Sequence, residues 1–150
     1  MGQPNNKVID IDLSVTQKKR FRIDGDDNRI IELNTSDMGI LLRLDEVEER
    51  LNKLADSVTF APDSDESDDE KLKKLLNTDK EMRELMDYLF DSPISDICAP
   101  SGSMYDPFNG RYRFEHIMET LFVLYEDNIE KEYKKMAKNV QKHTDKYIKK

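Results

Sequence analysis

The sequence predicts an α+β fold that is predominantly α-helical: a small N-terminal antiparallel β-sheet, built around a hairpin, packed on a helical bundle with a long C-terminal helix. Three observations carry that expectation. Apolar and polar residues alternate within residues 8–33, the period of a half-buried strand. Apolar residues recur at gaps of three and four over 36–57 and 68–91, the spacing of an amphipathic helix. Neither Pro nor Gly occurs between Phe114 and Tyr147, so nothing interrupts a helix there.

The elements follow in order. In VIDIDL at 8–13, Ile9, Ile11 and Leu13 alternate with Asp10 and Asp12. In the next run, 19–24, Phe21 and Ile23 alternate with Arg20 and Arg22. GDDN at 25–28 supplies turn residues, and RIIEL at 29–33 returns. Three strands are expected. Asn34-Thr35-Ser36-Asp37 offers helix caps. Ile40, Leu44, Val47, Leu51, Leu54 and Val58 then form a heptad seam on a helix over 36–57, with Gly39 inside its first turn. Residues 59–68 read as an acidic loop, since APDSDESDDE at 61–70 holds acids and no base.

A second helix is expected over 68–91, with Leu72, Leu75, Leu76, Met82, Leu85, Met86, Leu89 and Phe90 on its apolar face. Thr78-Asp79-Lys80-Glu81 has the form of a capping box, so this helix either breaks at Asn77 or runs on with Thr78 toward solvent. Residues 92–113 hold Pro93, Pro100, Gly102, Pro107 and Gly110, too many breakers for a regular element. Ile94, Ile97, Met104, Tyr105, Phe108 and Tyr112 make the segment too apolar for a linker, so an ordered loop is expected. The last helix, 114–147, keeps a stripe of Ile129, Tyr133, Met136, Val140 and Tyr147 through its lysine-rich half. A narrow stripe that outruns the core meets another helix, in the same chain or a partner.

A length of 150 residues suits a single domain. Charged residues make up 37% against a usual ~25%, which leaves a thin core. The net charge of −8 is unevenly spread: residues 131–150 hold eight lysines and two acids. An acidic body repels nucleic acid, so no nucleic-acid partner is expected. Cys98 stands alone and rules out an internal disulfide. No apolar run is long enough to span a membrane, and the first residues lack the pattern of a signal peptide. A cytoplasmic location, with no membrane partner, is the expectation.

The chemistry-bearing residues form no catalytic pattern. Asp24, Asp26 and Asn28 have the one-three-five spacing of a calcium loop, but Arg29 replaces the glycine at position six and Thr35 the glutamate at twelve. His116 and His143 lie 27 positions apart on one helix, roughly 40 Å, and cannot share a metal. Cys98 sits between Ile97 and Ala99 as a small buried residue. The glycines make no phosphate loop. The expectation is therefore no catalytic residue, cofactor site or metal site, and no enzyme. The residues expected to meet a partner are Ile129, Tyr133, Lys134, Met136, Lys138, Val140 and Tyr147.

Three stretches carry a resemblance: FRIDGDDNRIIELNTSD at 21–37, SGSMYDPFNGRYRFEHIMETL at 101–121, and LYEDNIEKEYKKMAKNVQKHTDKY at 124–147. They resemble small proteins from the tail-gene modules of tailed phages and prophages of Gram-positive hosts, regarded as tail assembly chaperones. The acidic middle, 55–95, adds nothing to it. The resemblance implies a helical, non-enzymatic helper made in the host cytoplasm. Such helpers coat the coiled tape-measure protein, recruit tail-tube subunits and leave before the particle is finished. The expected partner is thus a phage tape-measure or tail-tube protein, with homo-oligomers as a further expectation. Two other readings stand beside it: an acidic phage inhibitor of a host defence or nucleic-acid-binding protein, and a structural tail component retained in the virion.

Overall fold

A computed structural model describes residues 6–14, 18–58 and 67–148, with side chains to Asn139. The order is β1 (Lys19–Ile23), β2 (Asp26–Leu33), α1 (Ile40–Ser57), α2 (Asp68–Phe90), α3 (Ser95–Cys98), β3 (Pro107–Phe108), β4 (Arg111–Tyr112) and α4 (Arg113–Ile148). The fold is α+β and mostly helical, as the periodicities require. The acidic loop expected at 59–68 falls largely outside the described residues; its end, Ser67, caps α2.

β1 and β2 pair antiparallel, with Phe21 opposite Ile31 and Lys19 opposite Leu33. The turn is Asp24-Gly25, at φ 53° and 71°. Two positive φ values make the primed turn whose twist matches that of the flanking strands. It sits one residue ahead of the GDDN cluster, and β2 begins at Asp26 instead of Arg29. The extra length is taken up by a register shift between Arg22 and Ile23. Ile31 and Leu33 are buried and Glu32 between them is exposed, so strand alternation sets the inner face.

The strand expected at 8–13 does not form. Residues 6–14 carry no regular structure, and Val8, Ile9, Ile11 and Leu13 are 75–87% exposed. Alternation alone makes no strand; a ladder partner and a face to bury against are needed. Here Ile31 and Leu33 are already covered by the helices, at 1% and 0% exposure, which leaves no apolar floor for Ile9, Ile11 and Leu13. Locally, Asp12 accepts the Ser14 amide at 3.0 Å, a turn bond that competes with a ladder.

α1 and α2 pack along the seam read from the sequence, burying Ile40, Val47, Leu51 and Leu54 against Met82, Met86, Leu89 and Phe90. α1 starts later than expected. Asp37 accepts the Gly39 amide and pairs with Arg43, whose Nε donates to the Leu89 carbonyl at 2.9 Å. Gly39 is therefore the N-cap of α1 and not a weak point inside it.

α2 runs unbroken through Asn77, and Thr78 is buried. The capping-box pattern is overridden because its two members are engaged otherwise: Thr78 is packed inside, and the Glu81 carboxylate accepts from Arg50 of α1. Ser67 caps the true start, and Asp68, Asp69 and Glu70 face the positive end of the helix dipole. Leu72 and Leu76, assigned to the apolar face, are more than half exposed, because the core begins only at Thr78. α4 seals the core with Phe114, Leu121 and Tyr125, and the Phe90 ring lies 5.5 Å from Phe122 and 6.0 Å from Tyr125.

Residues 92–113 are ordered, as expected, but carry more structure than a loop. Asp87 accepts the Ser95 amide at 2.8 Å and fixes the start of α3. Arg29 and Arg83 donate to the carbonyls of Ser95, Ile97, Cys98 and Ala99, so two guanidinium groups satisfy the C-terminal end of a four-residue helix. β3 and β4 are joined by Asn109-Gly110 at φ 51° and 78°, a second primed turn. No helix among the described residues is long and apolar enough to cross a membrane.

Candidate functional site

α4 changes character along its length. Its first half is core: Phe114, Leu121 and Tyr125 are buried, and Ile117, Met118, Phe122 and Ile129 pack partly against them. Asn128 ties this half to the body. It accepts a hydrogen bond from Lys19 and donates one to Ser36, both at 2.8 Å. From Lys131 to Asn139 every described side chain is exposed. The helix thus extends beyond the body.

The sequence-predicted partner stripe lies where the helix leaves the body. Ile129 is half-buried, while Tyr133 and Met136 are each 55% exposed. These three, with Ser36, Met38 and Glu132, line a hollow of about 130 Å³. Met38 is 44% exposed and shares its face of the first helical turns with Leu41 and Leu42, three and four positions on. Leu41 and Leu42 are 55% and 74% exposed, so the apolar surface continues from the hollow onto α1.

Lys134 pairs with Glu130 at 3.1 Å and Lys135 with Glu132 at 3.3 Å. Both are exposed pairs within the helix and fix little. Lys138 is exposed. The side chains of Val140 and Tyr147 lie outside the described residues. The structure therefore brings Ile129, Tyr133 and Met136 together and leaves Lys134 and Lys138 as flanking charge.

A second depression, about 330 Å³, runs between α1 and the first half of α4. Leu44, Leu51, Met118 and Phe122 form its floor, and Glu48, Glu115 and Glu119 stand at its rim. A third, about 390 Å³, is lined by Asp106, Pro107, Phe108, Arg113 and His116. There the Phe108 ring lies 5.7 Å from the His116 ring, and Arg111 holds His116 Nδ1 at 3.0 Å and pairs with Glu119. His116 is engaged on both counts.

Cys98 is half-buried, and burial pushes its thiol up to about 11. It is protonated at neutral pH, the wrong state for a nucleophile. Burial likewise raises the Tyr125 hydroxyl to about 12. Among the described residues no group of three or more His, Cys, Asp or Glu is placed to hold a metal ion. What the described surface offers is shape, apolar area and charge.

Sequence reasoning missed two parts of this surface. One is Met38, Leu41 and Leu42, whose spacing of three and four was hidden beside the stronger seam starting at Ile40. The other is the β3–β4 hairpin that positions Phe108 over His116. Its signal was the Asn-Gly dipeptide at 109–110, the strongest short-range hairpin mark a sequence carries. Comparison with protein-family models, with curated proteins and with solved structures finds no match.

Proposed function

We propose that the chain is a tail assembly chaperone of a tailed phage or prophage, which binds an amphipathic helix of the tape-measure protein and shields it until the tail is built. The reading rests on the three stretches that resemble such proteins. One observation from the structure supports it: a helix that leaves its own core with Ile129, Tyr133 and Met136 still apolar and partly in water.

The physics of the reading is simple. A tape-measure helix displays an apolar stripe along its length, and such stripes aggregate when left bare. A second amphipathic helix covers it by side-to-side packing. Lysines beside the seam steer and orient the partner without adding much affinity.

The test is titration of the full chain with a fragment of the tape-measure protein from the same tail module. We expect binding by the wild type. Met136→Asp places a charge in the contact and should weaken binding at least roughly tenfold, with the fold intact by circular dichroism. Unchanged affinity would move the contact away from α4. Detection of the chain in purified particles by mass spectrometry would make it a virion component instead.

A further inference from the structure

One edge of the sheet and one arm of the chain carry no ladder. Among the described residues β1 pairs with β2 alone, so its other edge has no strand. The arm, residues 6–14, has no regular structure, and Ile9, Ile11 and Leu13 are 75–79% exposed. The two match side chain for side chain. In β1 the odd positions, Phe21 and Ile23, pack on the core but stay part-exposed, and the even positions, Arg20 and Arg22, are exposed. In the arm the odd positions Ile9 and Ile11 are aliphatic and the even positions Asp10 and Asp12 are acidic. With the aliphatic side chains turned inward, carboxylates and guanidinium groups share the outer face. The present partners of the arginines, Glu32 at 3.9 Å and Asp27 at 2.9 Å, form exposed pairs that hold little.

We propose that two copies of the chain exchange arms, residues 9–13 of each adding antiparallel to the free edge of β1 in the other. Asp12 then lies opposite Arg20, Asp10 opposite Arg22, Ile11 opposite Phe21 and Ile9 opposite Ile23. A two-fold axis midway between Leu13 and Lys19 makes every contact twice, as a self-complementary interface requires. Sliding by two residues sets Ile11 on Lys19 or Asp10 on Asp24, and sliding by one sets aliphatic side chains on arginines. Asp12 gives up its bond to the Ser14 amide for Arg20. Charge selects the arm as occupant, because two β1 edges brought together would set arginine on arginine. The linker selects the second copy. Ser14-Val15-Thr16-Gln17-Lys18 holds no Gly, Pro, Asn or Asp, whereas the reversal from β1 to β2 uses Asp24-Gly25. Such a run disfavours a sharp turn back onto the chain's own β1, and β-branched Val15 and Thr16 favour running on. The proposal uses no residue of α4 and stands apart from the tape-measure reading.

Sedimentation equilibrium of the full chain, with amide exchange alongside, tests it. The wild type should dimerise, more weakly as salt is raised, and the amides of 9–13 should exchange slowly in the dimer and fast on dilution to monomer. Asp10→Arg with Asp12→Arg, and separately Arg20→Asp with Arg22→Asp, should each weaken dimerisation roughly tenfold or more, because each sets like charges opposite one another in both ladders. An equimolar mixture of the two variants should recover the dimer, since opposite charges then meet in both ladders. A chain carrying all four changes should dimerise by itself. A monomeric wild type overturns the proposal, and slow exchange of 9–13 in that monomer would assign the edge to the chain's own arm. A dimer indifferent to the charge reversals, or a mixture that stays monomeric while each variant keeps its fold by circular dichroism, overturns it as well.

Discussion

A guanidinium carries five N–H donors in a rigid fork, and Arg83 directs its fork at Asp79, Asp96 and the carbonyls of Ser95, Ala99 and Gly102. Its side chain is 15% exposed. One residue of α2 thereby holds a stretch of chain rich in proline and glycine against the core. Arg83→Met keeps the packing stem but leaves those carbonyls and the Asp79 carboxylate short of donors. The expected loss is about 3 kcal/mol, read by urea unfolding. Amide exchange should rise across 95–104 and stay unchanged in β1 and β2.

Cys98 allows a cleaner experiment at the same scale. Burial raises its thiol from the ordinary 9.0 to about 11, so at pH 8 the folded chain holds about 100-fold less thiolate than an unfolded one. Alkylation by iodoacetamide should be slowed about 100-fold, and urea should abolish the difference. The sign for stability follows. The neutral thiol is favoured by folding, so its contribution is complete below pH 9, declines as the pH rises from 9 to about 11, and is then lost.

Among elements, α4 shows most plainly how one periodic pattern is put to two uses. Tyr125 and Tyr133 lie two turns apart on one face, one at 2% exposure and the other at 55%. Tyr125→Ala should cost about 3–5 kcal/mol. Tyr133→Ala and Met136→Ala should each stay within about 0.5 kcal/mol, while weakening whatever binds there. Thermal unfolding of the three variants checks the contrast.

The legibility of the other elements follows the same logic. The seam of α1 was readable because Ile40, Val47, Leu51 and Leu54 repeat over four turns and all are buried. The strand at 8–13 was misread because period two records a preference and cannot supply a partner. The break at Asn77 was an open alternative because the residue that holds the Glu81 carboxylate away from a cap, Arg50, lies 31 positions off and acts through space. α3 and its two arginine clamps left no local trace, since Arg29 reaches Ile97 across 68 positions.

For the whole molecule, the distribution of charge matters more than the net −8. Its acidic body and basic end were plain from the sequence. That the last helix outruns the core was expected from its narrowing stripe; the point at which it leaves the body was not, because it depends on where Asn128 is tied to Lys19 and Ser36. The candidate site was half legible for the same reason. The stripe on α4 came from periodicity, whereas Met38 joins it only through folding. With its charge so polarised, anything the chain binds through these regions should be held more weakly as salt is raised, as charge steering requires.

The stretch from Val8 to Leu13 has a consequence of another kind. Four aliphatic side chains stand in water on a backbone without a ladder, which is the raw material of a fibril. Asp10 and Asp12 are what oppose it: stacked in register, identical segments lie ~4.8 Å apart, and each layer would set two more carboxylates directly over the last. Asp10→Asn with Asp12→Asn removes that repulsion and keeps the shape. The doubly substituted chain should nucleate thioflavin-positive fibres at concentrations where the parent stays clear, making these two carboxylates gatekeepers against self-templated growth.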